Sequence, residues 1–158
     1  MGKINMSRVL LGGLVAGIII DVFEGVLNGL VLAKQWSDYM ATLGKAGAFS
    51  VNQLVWFNVI GLAYGIMAVR LYAAIRPRFG AGPATAARAA VAVWGLGYLL
   101  PSLTYLVAGL APARLTLIAL AVELVEMIVA TMAGAALYKE TEVAETPERR
   151  ARPVEQHG

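Results

Sequence analysis

The chain has 158 residues, of which 59% are apolar and only 15% Asp, Glu, Lys or Arg, with a formal net charge of +3 and no cysteine. A soluble domain is about 45–50% apolar even with glycine counted, and about 25% charged. A mean hydropathy of +0.69 therefore excludes a soluble enzyme, an intrinsically disordered chain and a disulfide-stapled module, and indicates one integral membrane domain.

A membrane-spanning helix needs about 20 mostly apolar residues. Four stretches qualify: Val9 to Ala33, Val51 to Ile75, Ala84 to Leu106 and Leu115 to Tyr138. In lipid they must be helical, because each backbone N–H and C=O needs an internal partner. Short links between them favour antiparallel neighbours, so the expected fold is all-α, an up-down-up-down four-helix bundle over residues 1–139. Lys3, Arg8, Arg70, Arg76, Arg78, Arg88, Lys139, Arg149, Arg150 and Arg152 lie on one side of that arrangement, and Lys34, Lys45 and Arg114 on the other. Ten of 13 basic residues on one side place both termini in the cytoplasm of an inner (plasma) membrane, multi-pass protein. A cleaved signal peptide ending at Val31-Leu32-Ala33 is the rival for the first span. Its apolar run is too long, and Asp21 and Glu24 interrupt it.

Arg76 to Pro83 holds two prolines and two glycines and reads as a tight inner turn. Arg76 and Arg78 there are orientation charges first and lipid-headgroup contacts second. The outer link from Lys34 to Ser50 carries Trp36, Tyr39 and Phe49, which suit a membrane interface. Residues 140–158 hold many Glu and Arg, two Pro and little apolar surface, and read as a disordered cytoplasmic tail. No internal repeat is evident.

The chemistry lies in the spans. Asp21, Glu24 and Asn28 fall within about 60° of one another on the first helix, on a face shared with Gly13, Gly17, Gly25 and Gly29. Glu123 and Glu126 share a face of the fourth span, and Asn58 lies on a small-residue face of the second. The glycines read as packing positions that let helices approach. Counted from the outer ends, Glu24 matches Glu123 in depth and Asp21 matches Glu126, each to about one residue's rise. If the first and fourth spans are neighbours, these form one cation- or proton-binding layer of Asp21, Glu24, Glu123 and Glu126, with Asn28 and Asn58 beside it. Trp94, Tyr98 and Tyr105 on the third span read as core or interface aromatics, or as an aromatic wall suited to an organic cation.

Four unpaired charges at that depth would cost on the order of 10 kcal/mol. The nearest basic residue, Arg114, lies about 13 Å of helix from Glu123. Protonation, a bound cation or a water-filled cavity would each resolve the layer. Intramembrane ionisable groups are functional by default, although protonated carboxyls also serve as plain interhelical hydrogen-bonding groups.

The segments Lys3-Ile4-Asn5, Val9-Leu10, Leu32 to Trp36, Met40 and Leu43-Gly44, together with Leu71 to Gly80 and Gly82-Pro83, resemble a group of small uncharacterised bacterial four-span integral membrane proteins. The resemblance covers the four spans without the tail. It implies a four-helix membrane fold and a bacterial source, and it carries no activity and no site residues. The chain lacks the pattern of the small multidrug resistance transporters, which are shorter and rely on a single essential Glu in their first span.

Three functions are compatible with these features. One is a cation- or proton-coupled transporter or channel-like protein acting as a homodimer, with a cation or organic amine as ligand. The second is a non-catalytic membrane partner or assembly protein, whose acids are protonated packing groups. The weakest is an intramembrane enzyme: the single histidine, His157, sits in the tail, so Glu-x-x-His di-iron and haem ligation have no support. No cofactor and no nucleic-acid partner are expected, and a metal at the acids is left open.

Overall fold

A computed structural model describes residues 4–139 apart from Ala46 and Ala48. The predicted tail, residues 140–158, lies outside the described residues. The described chain is helical, with four helical segments long and apolar enough to cross a membrane: Met6–Val31, Val51–Phe79, Pro83–Val107 and Ala113–Ala136. Their bounds lie within a few residues of the predicted spans.

Helix α1, Met6–Val26, starts at an Asn5 cap whose Oδ1 accepts from the Arg8 N–H at 3.2 Å. It runs into one π-helical turn, Leu27–Val31, where the Leu32 N–H reaches the Leu27 carbonyl at 2.7 Å. The chain then bends at Leu32 into the short helix α2, Ala33–Thr42. Helix α3, Val51–Phe79, opens with a reciprocal capping box between Ser50 and Gln53, which satisfies two backbone donors that have no partner inside the helix. Span three is interrupted: α4, Pro83–Trp94, passes through a π turn, Gly95–Leu99, into α5, Leu100–Val107. Helix α6 is Ala113–Ala136.

The predicted turn from Arg76 begins later than its prolines suggested. Helix α3 continues through Pro77 to Phe79. A proline in the last turn withdraws one N–H where the helix is about to end, so the usual interior penalty is reduced. Gly80, at φ +83°, stops the helix, and Gly82, at φ +133°, leads into Pro83 at the start of α4. Both backbones are in the region that favours glycine.

Helix α1 packs against α3 and α6, α4 packs against α3 and α6, and α3 also meets α6. Glycine sets the closest approaches. A Cβ on Gly13 would fall 2.6 Å from the Ile66 Cα, one on Gly65 would meet the backbone of Gly13 and Gly17, and one on Gly134 would meet the Gly12 carbonyl. The α1–α3 contacts pair Gly13 with Ile66, Gly17 with Leu62 and Asp21 with Gly61, so partner numbers fall as α1 advances. Gly25 and Gly29, expected on the same packing face, have open space around them.

The main core occupies the half of the bundle away from α2. Val9, Ala16, Ile20, Ala68, Val69, Tyr72, Ala89, Ala90, Met127 and Ala130 are buried there. A smaller cluster of Leu27, Leu32 and Leu115, with Trp36 and Val122 against it, holds the α2 end. Between the two lie the acids.

Candidate functional site

Helices α1 and α6 bring Asp21, Glu24, Glu123 and Glu126 together. Glu24 interacts electrostatically with Asp21, Glu123 with Glu24, and Glu126 with Glu24, Glu123 and Asp21. The arrangement is less symmetrical than matched depths imply. Glu24 is the shared neighbour of both α6 acids, while an Asp21 carboxyl oxygen fills the space a Cβ on Gly61 would need, on the α3 side. Gly61 therefore leaves the room that Asp21 occupies.

The four groups are differently equipped. Asp21, Glu24 and Glu123 are half-buried. Glu126 is 0% exposed, and neither of its carboxyl oxygens has a hydrogen-bond partner among the described residues. Glu24 accepts from the side-chain amide of Asn28, one helical turn on. The Asn28 oxygen in turn accepts from the Trp36 indole N–H at 2.7 Å. The ion pair seen among the described residues is Lys34 with Asp38, at 2.7 Å and fully on the surface, so it does nothing for the buried acids. Among the described residues, no three His, Cys, Asp or Glu stand together as a metal-holding group.

The aromatic wall is only partly as predicted. Tyr98 faces the acids, interacting electrostatically with Glu24, Glu126 and Glu123. Trp94 is half-buried against α6 and donates its indole N–H to the Leu120 carbonyl at 3.2 Å. Tyr105 is 57% exposed, because α5 leaves the core after the π turn. Asn58 also stands apart. It is exposed, and its amide donates to the Leu54 carbonyl of its own helix at 2.7 Å.

Tyr64 takes the place that Tyr105 was expected to fill. Its ring lies 4.8 Å from that of Tyr98, centroid to centroid, and it interacts with Glu123. Its hydroxyl donates to the Gly97 carbonyl at 3.0 Å, and its ring occupies the space a Cβ on Gly97 would fill. Pro101 explains the bond. It has no N–H to offer the carbonyl four residues earlier, so Gly97 accepts from a neighbouring span. The sequence marks part of this: a proline inside a span frees a carbonyl four residues earlier, whose donor a neighbouring helix, a side chain or a local π adjustment can supply. Gly97 was therefore readable, and Tyr64 as its donor was not. The part played by Trp36 was not readable, since it depends on the bend at Leu32.

Away from the acids, at the α2 end, a groove of about 270 Å³ is lined by Leu32, Gln35, Tyr39, Pro112, Arg114, Leu115 and Ile118.

No family model, curated protein or solved structure matches the chain. The geometry is that of a small helical membrane protein with a carboxylate cluster between two helices, an aromatic pair on one side and one acid wholly enclosed.

Proposed function

We propose that the chain is a cation- or proton-coupled transporter or channel-like protein of a bacterial inner membrane, its spans in up-down-up-down order with both termini cytoplasmic. The distribution of Lys and Arg supports the orientation. The opposed residue order of the α1–α3 contacts, and the meeting of Gly12 with Gly134, support the alternation of the spans.

One observation carries the transport reading: Glu126 is fully enclosed, without a hydrogen-bond partner among the described residues, and near three other acids. A carboxyl so placed is expensive to ionise and has no structural bond to make. It is suited to carry a proton that a second cation can replace. The proposed exchange is balanced. An ammonium enters between Glu24, Glu123 and Glu126, the Glu126 O–H bond breaks, its electron pair stays on the carboxylate, and one proton leaves. The Tyr64–Tyr98 pair gives the organic part of such a cation an aromatic surface beside the charge.

Thermal unfolding of the purified protein in detergent, against a panel of primary to quaternary amines at pH 8, tests this. A ligand at 100 times its dissociation constant adds about 2.7 kcal/mol. For a chain of this size that is roughly 5–10 °C. The shift should disappear in Glu126→Gln. A wild type indifferent to every amine and to inorganic cations removes the reading.

A second reading, a non-catalytic assembly partner, draws on Gly25 and Gly29. They are four residues apart, Gly25 in α1 and Gly29 in the π turn that follows it, with open space in place of a neighbouring helix. Such spacing admits another helix at close range, from a second copy or another protein. Gly25→Leu should then disrupt the assembly in gentle detergent, while the wild type binds no amine and tolerates Glu24→Gln.

A further inference from the structure

The bonds running from Glu24 through Asn28 to Trp36 have a direction that chemistry dictates. An indole N–H can only donate. The Asn28 oxygen must therefore face Trp36, which turns the amide N–H₂ toward Glu24, and Glu24 must accept. The contact is not one a regular helix could make. Eight residues of unbroken α-helix would separate Asn28 from Trp36 by about 12 Å along the axis. The π turn at Leu27–Val31 and the bend at Leu32 swing α2 back so that the indole reaches its partner. Helix α2 is held at a second point, where the Tyr39 hydroxyl donates to the Leu110 carbonyl between α5 and α6. It thus ties span one to the start of span four, and the polar line that runs from Trp36 ends on a site carboxyl.

We infer that Trp36 is a positioning residue for Glu24: through the Asn28 amide, its indole N–H holds Glu24 as a hydrogen-bond acceptor and couples the seating of α2 to the charge Glu24 carries. The inference rests on the reading of the acids as a binding site. A charged acceptor makes roughly twice as strong a bond as a neutral one. Neutralising Glu24, by a proton or by a bound cation, weakens the chain and loosens Trp36. The other groups facing Glu24 are Asp21 on its own helix, Glu123 and Glu126 on α6, and Tyr98 on span three. Among the described hydrogen bonds of Trp36, the indole reaches Asn28 and none of these four groups.

The test is NMR on protein labelled with ¹⁵N in its indoles. The chain has three tryptophans, Trp36, Trp56 and Trp94, and Trp36→Phe assigns the relevant signal. Exposed Trp56 and Leu120-bonded Trp94 serve as controls. Glu24→Gln should move the Trp36 N–H signal and speed its solvent exchange severalfold. Asn28→Leu should speed exchange by about fivefold or more, and in that background Glu24→Gln should have no further effect on Trp36. Asn28→Ser, too short to bridge, replaces Asn28→Leu if the latter fails to assemble. A Trp36 signal that ignores Glu24→Gln, or responds equally with Asn28 removed, overturns the inference. Uptake of an ammonium probe into vesicles separates the two ideas. An indole response with no uptake by wild type supports the positioning and defeats the transport reading; uptake with an indifferent indole does the reverse.

Discussion

Replacing Glu126 with methionine should stabilise the protein while disabling it. The side chain is 0% exposed and, among the described residues, neither oxygen has a hydrogen-bond partner. Leaving a buried polar group unsatisfied costs about 1–3 kcal/mol in mutational series, and like-sized apolar replacements of buried ionic groups commonly stabilise by about 1–4 kcal/mol. Met is unbranched and close to Glu in volume, so overpacking should be small. The expected gain is about 1–3 kcal/mol, or roughly 2–12 °C in the unfolding midpoint for a chain of this length. The neighbouring Met127 is also 0% exposed but lies in the apolar core, where Met127→Ala should cost about 2–5 kcal/mol. Thermal unfolding in one detergent, with circular dichroism as the readout, compares the two variants directly. If Glu126→Met is destabilised like Met127→Ala, Glu126 has a native partner, and the argument from an unsatisfied carboxyl is wrong.

Other predictions concern packing and topology. Gly65→Ala should lower stability by about 1–3 kcal/mol, since its methyl would meet the backbone of Gly13 and Gly17, whereas Gly25→Ala should be neutral or gain up to about 1 kcal/mol from helix propensity; midpoints measured side by side decide between them. Tyr64→Phe should cost about 1–3 kcal/mol because it leaves the Gly97 carbonyl, already deprived by Pro101, without its donor; an unchanged midpoint would show that this bond contributes nothing. The chain has no cysteine, so single substitutions report sidedness cleanly. Lys45→Cys should react with an impermeant maleimide on intact cells and Arg78→Cys only after lysis, and the opposite pattern would invert the proposed orientation.

The four spans were legible because lipid makes a single demand on every residue of a crossing segment, so a run of about 20 apolar residues suffices to mark one. The proximity of the α1 and α6 acids was legible too, since helical rise converts residue counts into depth. Finer placement was not. Asn58 was expected beside the acids, but the first ten residues of α3 are exposed, and nothing in their composition distinguishes a packed apolar stretch from an exposed one. Tyr105 follows the face of a regular helix only if span three is regular. The π turn at Gly95–Leu99 inserts a residue and rotates what comes after it. Gly13 and Gly17 pack while Gly25 and Gly29 do not, because the helices diverge toward the α2 end, and divergence depends on all four spans at once. Pro77 does not break α3, because a proline's effect depends on its distance from the helix end, which Gly80 sets.

In the proposed function, the enclosed carboxyl of Glu126 exchanges a proton for a cation. The most direct measurement uses sealed vesicles reconstituted with the protein and loaded with a pH-sensitive dye, to which a permanently charged organic ammonium is added. Wild type should release protons as it takes up the ammonium, and Glu126→Gln of equal stability and content should not. Ammonium uptake that is identical in the two proteins, or no proton movement in wild type across the amine panel, would contradict it.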